Sequence, residues 1–273
     1  MSGNRHFKRL WLPGGFVALI ALAALCAPLF PLPDPIRQDV ANRLAGPMAG
    51  SWLGRDEFGR DVLSRLLWGA RTSLSVAFAS ALTAGAIGVL LGLIGGWGKG
   101  AAAFLSVRSM DVVLCFPPVL LALLVVTLLG PGAATLILVL SVLYLPGFAR
   151  VTHAEVLAVK NRDYVEATRA LGARPAYLLL RTVLPNIAGP ILVQLSLAVA
   201  AAVVLESGLS FLGLGVVPPA PSWGLMIRGA RATMEQAPLL LVWPCAALTL
   251  TILAMNLLCD GLRDALDPRT AGR

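Results

Sequence analysis

Lysine is rare in this chain, with Lys8, Lys99 and Lys160 the only three among 273 residues. None of them stands in a phosphate-binding loop, because Gly100 follows Lys99 where the Gly-x-x-x-x-Gly-Lys-Ser/Thr pattern requires a hydroxyl side chain. The sequence therefore excludes ATP hydrolysis by that type of loop.

Histidine and cysteine are also scarce. His6 and His153 have no helix-spaced ligand partner, and a transition-metal site needs several converging donors. The four cysteines fall in or beside apolar runs and lack the paired short spacing of metal or redox motifs. We therefore predict no metal and no resident cofactor in this chain, and we interpret the cysteines as small packing residues.

Charge is low as well: charged residues make up 13% of the chain, against about 25% in soluble domains. Hydrophobic residues make up 58%, and the mean hydropathy is +0.81. This composition predicts an integral membrane protein. Runs without charge that reach the roughly 20 apolar residues of a helical crossing cover 10–33, 72–98, 112–149, 182–205 and 236–259.

The third run is too long for one helix, and Gly130-Pro131-Gly132 is expected to divide it into spans near 112–130 and 134–151. Six crossings place both termini on one side of the membrane. With the N-terminus inside, cytoplasmic segments hold 14 of the 22 basic residues, which favours an N-in, C-in topology. The net charge of +8 then follows from this orientation and from attraction to anionic inner-leaflet lipid, without a nucleic acid partner.

This topology predicts a cytoplasmic tail over residues 1–9 and a single transmembrane domain over residues 10–273. Within that domain, 31–70 and 213–236 are outer loops, and 152–184 is a cytoplasmic loop. In the second span, Gly88-x-x-x-Gly92 predicts a helix face that packs closely on another helix.

The cytoplasmic loop carries the signals of a short polar helix. Asp163 can cap its first turn, Glu166 can reach back to the cap, Gly172 supplies a left-handed stop, and Pro175 prevents continuation. A helix over 164–171 is roughly 12 Å long and is marginal alone, so it needs a surface to pack on. Either it lies on the bilayer or on its own protein, or it docks a cytoplasmic subunit.

The first outer loop ends in a predicted amphipathic helix, because the aliphatic residues between positions 62 and 67 fall on one helical face. This helix follows Arg60 and Asp61. It either rests in the membrane interface and leads into the second span, or contacts an external partner.

An ionisable residue, Glu206, lies near the outer end of the fifth span, where charge is costly and a functional role is the default. A local ion pair with Arg228 or Arg231 is the alternative. The proline-rich segment around Trp223 suits a rigid outer rim. The residues predicted to form this outer rim, or mouth, are Arg60, Asp61, Glu206, Pro221, Ser222, Trp223 and Gly224.

The nearest feature to an active site is Ser210 with His153, a pair that resembles the one used by intramembrane serine proteases. The predicted topology places these residues near opposite membrane faces, roughly 30 Å apart. Because such groups must approach within about 3 Å, a serine hydrolase is not expected.

Several motifs together resemble one family. Glu166-Ala167, Gly172 and Leu184-Pro185 are similar to the cytoplasmic Glu-Ala-Ala signature of permease subunits in binding-protein-dependent ABC importers. Segments similar to the second permease of the dipeptide, oligopeptide and nickel importer group lie at 53–67, 163–167, 184–186, 209–215, 221–224 and 260–268. Two departures are Arg55, where Thr is expected, and Thr168, where a second Ala is usual.

The resemblance implies an all-α type I ABC importer permease with six transmembrane helices in the bacterial inner membrane. It implies a heterodimer with a homologous permease, two ATPase subunits that bind ATP and Mg²⁺, and a periplasmic or lipid-anchored substrate-binding protein. The outer-mouth residues are then expected to contact that binding protein. The chain itself is then no enzyme, and its coupling helix fits a groove on one ATPase, so that ATP binding rocks the spans from inward-open to outward-open. The residues expected to couple to the ATPase are Asp163, Tyr164, Glu166, Ala167, Ala170, Leu171 and Gly172.

The resemblance implies di- or oligopeptides as the first choice of substrate. Nickel chelates, glutathione, opines and peptide antibiotics stay open, because selection in such systems rests largely on the binding protein. The competing class is a self-contained secondary transporter, which usually carries inverted repeats, broken helices and charges at the membrane midplane. None of these is evident in the sequence.

Overall fold

The structure is a computed structural model in which residues 3–266 are described. Its regular secondary structure is helical, apart from isolated β-bridges between Met48 and Ser51 and between Arg55 and Asp61; residues 31–61 are mostly turns and loop. Leu178–Val183 is a π-helical stretch, and Ala27–Leu29 and Val40–Asn42 are single 3₁₀ turns. The α-helices are α1 (Gly3–Leu25), α2 (Val62–Trp97), α3 (Ala101–Leu114), α4 (Pro118–Leu129), α5 (Ala133–Val159), α6 (Asp163–Ala170), α7 (Pro175–Tyr177), α8 (Leu184–Asn186), α9 (Ala188–Leu212), α10 (Trp223–Ala232) and α11 (Leu239–Leu266).

Four of the described helices, α2, α5, α9 and α11, are long and apolar enough to cross a membrane. The pair α3 and α4 gives a fifth crossing if it is one span, bent by 91° at the break. The apolar part of α1, Trp11–Leu25, is shorter than a full crossing. The all-helical membrane architecture is therefore confirmed, while six crossings and the N-in, C-in topology stay predictions.

The break in the third apolar run is confirmed, because α4 ends at Leu129 and α5 begins at Ala133. The span predicted near 112–130, however, is not one helix. Pro117 and Pro118 interrupt it, since their fixed φ and missing N–H prevent a helix from continuing through them.

The amphipathic segment after Phe58 also differs from the prediction. It does not form a separate surface helix, because α2 begins at Val62 and runs without a break to Trp97. The predicted amphipathic face is the first two turns of this 36-residue helix.

Helix α2 packs along α5 through a row of glycines. A Cβ atom on Gly88 would lie 2.7 Å from the carbonyl oxygen of Leu145, and one on Gly92 would lie 2.6 Å from that of Ala149. Only glycine permits this approach of the two backbones. The predicted Gly88-x-x-x-Gly92 packing face is confirmed, and its partner is α5 of the same chain.

The two ends of the helix bundle are defined by what packs on α2. At its C-terminal end, Gly96 faces Val156 of α5, close to α6; we call this the α6 end. At its N-terminal end, Gly69 faces Ser222 and Trp223 at the start of α10; we call this the α10 end.

Candidate functional site

Helix α6 ends as the sequence predicts. Gly172 has a φ of +82°, in the left-handed region. Its N–H donates to the carbonyl of Arg169 at 3.0 Å, and the N–H of Ala173 donates to the carbonyl of Thr168 at 3.4 Å. These two bonds form a Schellman motif, which uses a glycine to terminate a helix.

The start of α6 differs from the prediction by one residue. Arg162 is the N-cap, with an extended backbone (φ −76°, ψ 147°) and no capping bond from its side chain. Asp163 is therefore the first helical residue, and the predicted reciprocal capping by Asp163 and Glu166 is wrong. Both carboxylates still lie in the first turn, where the positive end of the helix dipole favours them.

One buried side chain, Val165, holds α6 on the bundle. It is 0% exposed, although it lies in an otherwise polar helix, and Arg169 adds a contact 5.3 Å from the centre of the Trp97 ring. No sequence motif singled out Val165, but it is the only branched aliphatic residue of α6. The buried cluster around it contains Leu93, Val156, Leu178, Val183 and Ile187.

The π-helical stretch after α6 completes this cluster. Pro185 has no N–H to donate to the preceding turn, and the wider turn of Leu178–Val183 accommodates the missing donor. The stretch directs Leu178 and Val183 towards Val165. The Leu184-Pro185 motif thus supports the position of α6.

The opposite side of α6 is open. Leu171 is 88% exposed, and the exposed Tyr164 and Ala167 lie on the same helical stripe at spacings of three and four residues. Glu166 and Ala170 are exposed beside it. A short apolar stripe with a small residue at its centre can dock in a groove of another protein.

At the α10 end, Glu206 is fully buried and surrounded by serine hydroxyl groups. Ser210 Oγ donates to Glu206 Oε1 at 2.7 Å, and Ser207 Oγ donates to Oε2 at 3.2 Å. Ser73 of α2 and Ser222 also place hydroxyls against this carboxyl group. Serine hydroxyl groups from α9, from α2 and from the residue before α10 therefore surround the Glu206 carboxyl group. Among the described residues no arginine pairs with it, so the alternative of a local arginine pair is wrong.

The segment at 221–224 packs on the same cluster. The Trp223 N–H donates to Ser73 Oγ at 3.3 Å, and its indole Nε1 donates to the carbonyl of Leu66 at 3.1 Å. Gly224 lies so close to the backbone of Ser207 that a Cβ atom there would overlap it. The start of α10 is thereby locked between α2 and α9.

Arg60 and Asp61 hold the loop that precedes α2. Arg60 Nε lies 2.7 Å from Asp56 Oδ2. Asp61 caps α2 by accepting from the Ser64 N–H at 2.7 Å, and it also accepts from Ser51 Oγ at 2.6 Å. Both side chains are buried, so they fix the shape of the loop.

Arg55, which departs from the family pattern, has a role in the same loop. Its Nη1 lies 2.7 Å from Asp39 Oδ2. A hydrogen bond from Asn42, together with the charge of Arg55, holds the pKa of Asp39 below its ordinary value. The arginine thus joins two distant parts of the loop.

The predicted outer-mouth residues are buried in this chain as a group: Arg60, Asp61, Glu206, Pro221, Ser222, Trp223 and Gly224. Different side chains are exposed at this end, among them Trp52, Phe58, Arg228 and Arg231. Direct contact of the buried residues with a partner stays a prediction.

Ser210 and His153 lie at opposite ends of the bundle. Ser210 is hydrogen-bonded to Glu206 at the α10 end, whereas His153 lies beside Gly92 and Gly96 towards the α6 end. The two side chains therefore do not form a catalytic pair in this chain.

Residues 88–272 match the family described as binding-protein-dependent transport system inner membrane component. The di/tripeptide transport system permease protein DppC of Pseudomonas aeruginosa is 42% identical over 93% of this chain and 86% of that protein. The glutathione transport system permease protein GsiD of Pectobacterium atrosepticum is 40% identical over 92% and 83% of the two chains. A solved chain of the inward-facing MetNI methionine ABC transporter has a TM-score of 0.61 at 17% identity, covers 74% of this chain and 96% of its own length, and shares its fold.

Proposed function

Because this chain belongs to the family of binding-protein-dependent transport system inner membrane components, we propose that it is the permease subunit that forms half of the translocation pathway of a peptide-importing ABC transporter. Relatives named for di/tripeptide and glutathione transport support peptides as the substrate class. The sequence has no phosphate-binding loop. ATP and Mg²⁺ therefore bind to partner ATPase subunits, and this chain is not catalytic.

The proposed assembly contains this chain, a homologous permease, two ATPases and a substrate-binding protein at a bacterial inner membrane. Six crossings with both termini inside place the α6 end in the cytoplasm and the α10 end outside. The basic residues of the cytoplasmic segments support this orientation. Helix α6 then meets an ATPase, and the α10 end meets the binding protein.

The observation that carries the proposal is the one-sided anchoring of α6. Val165 fixes this helix to the ends of α2 and α5, while Tyr164, Ala167 and Leu171 are open to a partner. The glycine face joins α2 and α5 along their length. A displacement of α6 by an ATPase is therefore transmitted to the spans as a rigid-body movement between inward-open and outward-open arrangements.

The matched pair Leu171→Glu and Leu180→Glu tests this function, because both leucines are exposed, but Leu171 continues the open stripe of α6 and Leu180 lies in the later π-helical stretch. Burial of a leucine side chain contributes about 1.5–3 kcal/mol, so a charge at Leu171 is expected to weaken ATPase association more than about tenfold. Co-purification of the ATPase with the tagged permease measures this at equal membrane abundance. Equal ATPase recovery in the two variants would mean that the exposed stripe of α6 does not bind the ATPase.

A further inference from the structure

A cavity of about 410 Å³ opens at the α10 end between the first loop, α10 and the start of α11. This volume falls within the roughly 300–1,000 Å³ of small-molecule sites. Its walls combine charged and apolar side chains, among them Asp56, Glu57, Arg60, Met226, Arg228 and Leu240. Such a mixed lining suits a small ligand that carries both charge and apolar surface.

The charged side chains that line the cavity differ in how closely they are paired with an opposite charge. Asp56 and Arg60 are buried and paired with each other at 2.7 Å, so they form a fixed wall. Glu57 has only a longer contact of 3.3 Å with Arg60, and its side chain is 26% exposed. Arg228 is exposed and has no ion pair within residues 3–266. The cavity therefore offers one carboxylate and one guanidinium to a ligand.

Glu57 and Arg228 approach the cavity from the two sequence-distant segments that form its walls. The Arg228 guanidinium packs against Gly213 at the end of α9, whereas Glu57 lies beside Gly229 of α10. A Cβ atom on Gly229 would lie 2.9 Å from Glu57 Oε1, so Glu57 rests directly on the backbone of α10. Glu57 and Arg228 nevertheless form no salt bridge with each other among the described ion pairs. Opposite charges that line one cavity and form no salt bridge with each other complement a zwitterion.

We propose that this cavity is a receiving site for zwitterionic peptides, in which Glu57 binds the N-terminal ammonium and Arg228 binds the C-terminal carboxylate. Met226 and Leu240 contact the peptide side chains. The inference rests on the proposed function, which places the α10 end outside and gives peptides as substrates. Ion pairs at a partly exposed site are weak, so the site holds a peptide only briefly between its release from the binding protein and its entry into the pathway.

The test uses the whole transporter in proteoliposomes with saturating binding protein, and compares uptake of dialanine, dialanine amide and N-acetyl-dialanine. Arg228→Gln is expected to lower dialanine uptake about fivefold and to reduce the preference for dialanine over its amide. Glu57→Gln is expected to reduce the preference for dialanine over its N-acetyl form. Arg228→Lys retains the charge and should restore most of the preference.

Arg231→Gln is the control, because Arg231 is exposed on the same helix but does not line this cavity. It should leave uptake unchanged. The binding-protein concentration that gives half-maximal ATPase stimulation should be the same in every variant, since the site acts on the peptide.

Two results would overturn the site while peptide import stands. One is wild-type uptake and wild-type substrate preference in both Arg228→Gln and Glu57→Gln. The other is a higher half-maximal concentration of binding protein with an unchanged preference, because the cavity would then receive a side chain of that protein. Failure of the intact transporter to import any of the peptides would instead overturn both the peptide assignment and the site.

Discussion

The motif residues are exposed at one end of the helix bundle and buried at the other. At the α6 end, Glu166, Ala167 and Gly172 are exposed, and Val165 is the one buried residue of α6. At the α10 end, Glu206 and Trp223 lie in the interior with their hydrogen bonds satisfied within the chain. A motif therefore marks an open surface at one end of this protein and internal architecture at the other.

The physical reason lies in the length and surroundings of the two segments. Helix α6 has 8 residues, too few to be stable without packing, yet it can bury only one side against the bundle. The start of α10 is enclosed between α2 and α9, where each polar group needs a partner inside the protein. Substitutions should therefore affect partner binding at the α6 end and structural stability at the α10 end.

The largest effect is expected for Val165→Asp. An unpaired charge in the buried cluster costs several kcal/mol, which detaches α6 from the bundle. We expect ATPase co-purification and peptide uptake to fall by about 100-fold or more, while the permease still inserts in the membrane. Val165→Ile, which keeps the anchor apolar, should retain both activities. Normal uptake by the aspartate variant would mean that α6 does not need its anchor.

A smaller effect, of a different kind, is expected for Glu206→Ala. Removal of the carboxyl group leaves serine hydroxyls without their acceptor, at a cost of about 1–3 kcal/mol. The thermal unfolding temperature of the purified transporter should fall, and ATPase co-purification should not change. Glu206→Gln keeps an acceptor oxygen and should unfold near the wild-type temperature. Loss of ATPase binding in Glu206→Ala would contradict the separation between the two ends.

The smallest effect is expected for Gly172→Val. A β-branched residue in the left-handed region costs roughly 1–2 kcal/mol, which misdirects the end of α6 without releasing Val165. Uptake should fall several-fold at equal membrane abundance. Gly172→Asn is the matched control, because asparagine adopts this conformation more readily. Equal uptake by the two variants would show that the exact end of α6 is unimportant for transport.

The local signals in the sequence predict several boundaries well. The stop of α6 at Gly172, the break at 130–132 and the Gly88 packing face are confirmed, since each depends on a glycine or proline and its near neighbours. The capping of α6 is wrong because Arg162, which carries no signal of its own, takes the N-cap position. The separate amphipathic helix before the second span is also wrong, because α2 is continuous and no local feature separates its amphipathic first turns from the span.

The candidate sites were less predictable than the helices. Leu171 and Ala167 are expected on an exposed coupling surface, and the structure exposes them. Two partners of Glu206, Ser207 and Ser210, are its neighbours on α9. The other two, Ser73 and Ser222, could not be found in the sequence, because they lie outside α9 and only the packing of the helices brings them to Glu206. For the same reason, nothing local indicates that Glu57 and Arg228 line one cavity.

By itself, the sequence determined that this protein is an all-helical membrane protein without a nucleotide-binding loop, and that a short polar helix interrupts its apolar spans. These properties follow from composition and from signals within one or two helical turns, which do not depend on distant segments of the chain. Only the tertiary structure decided that Val165 is an anchor, that the predicted outer-mouth residues are interior, and that Glu57 faces α10. The burial of a side chain and its hydrogen-bond or ion-pair partners depend on which helices pack together. Residues that are distant in the sequence make these contacts, so the local sequence does not show them.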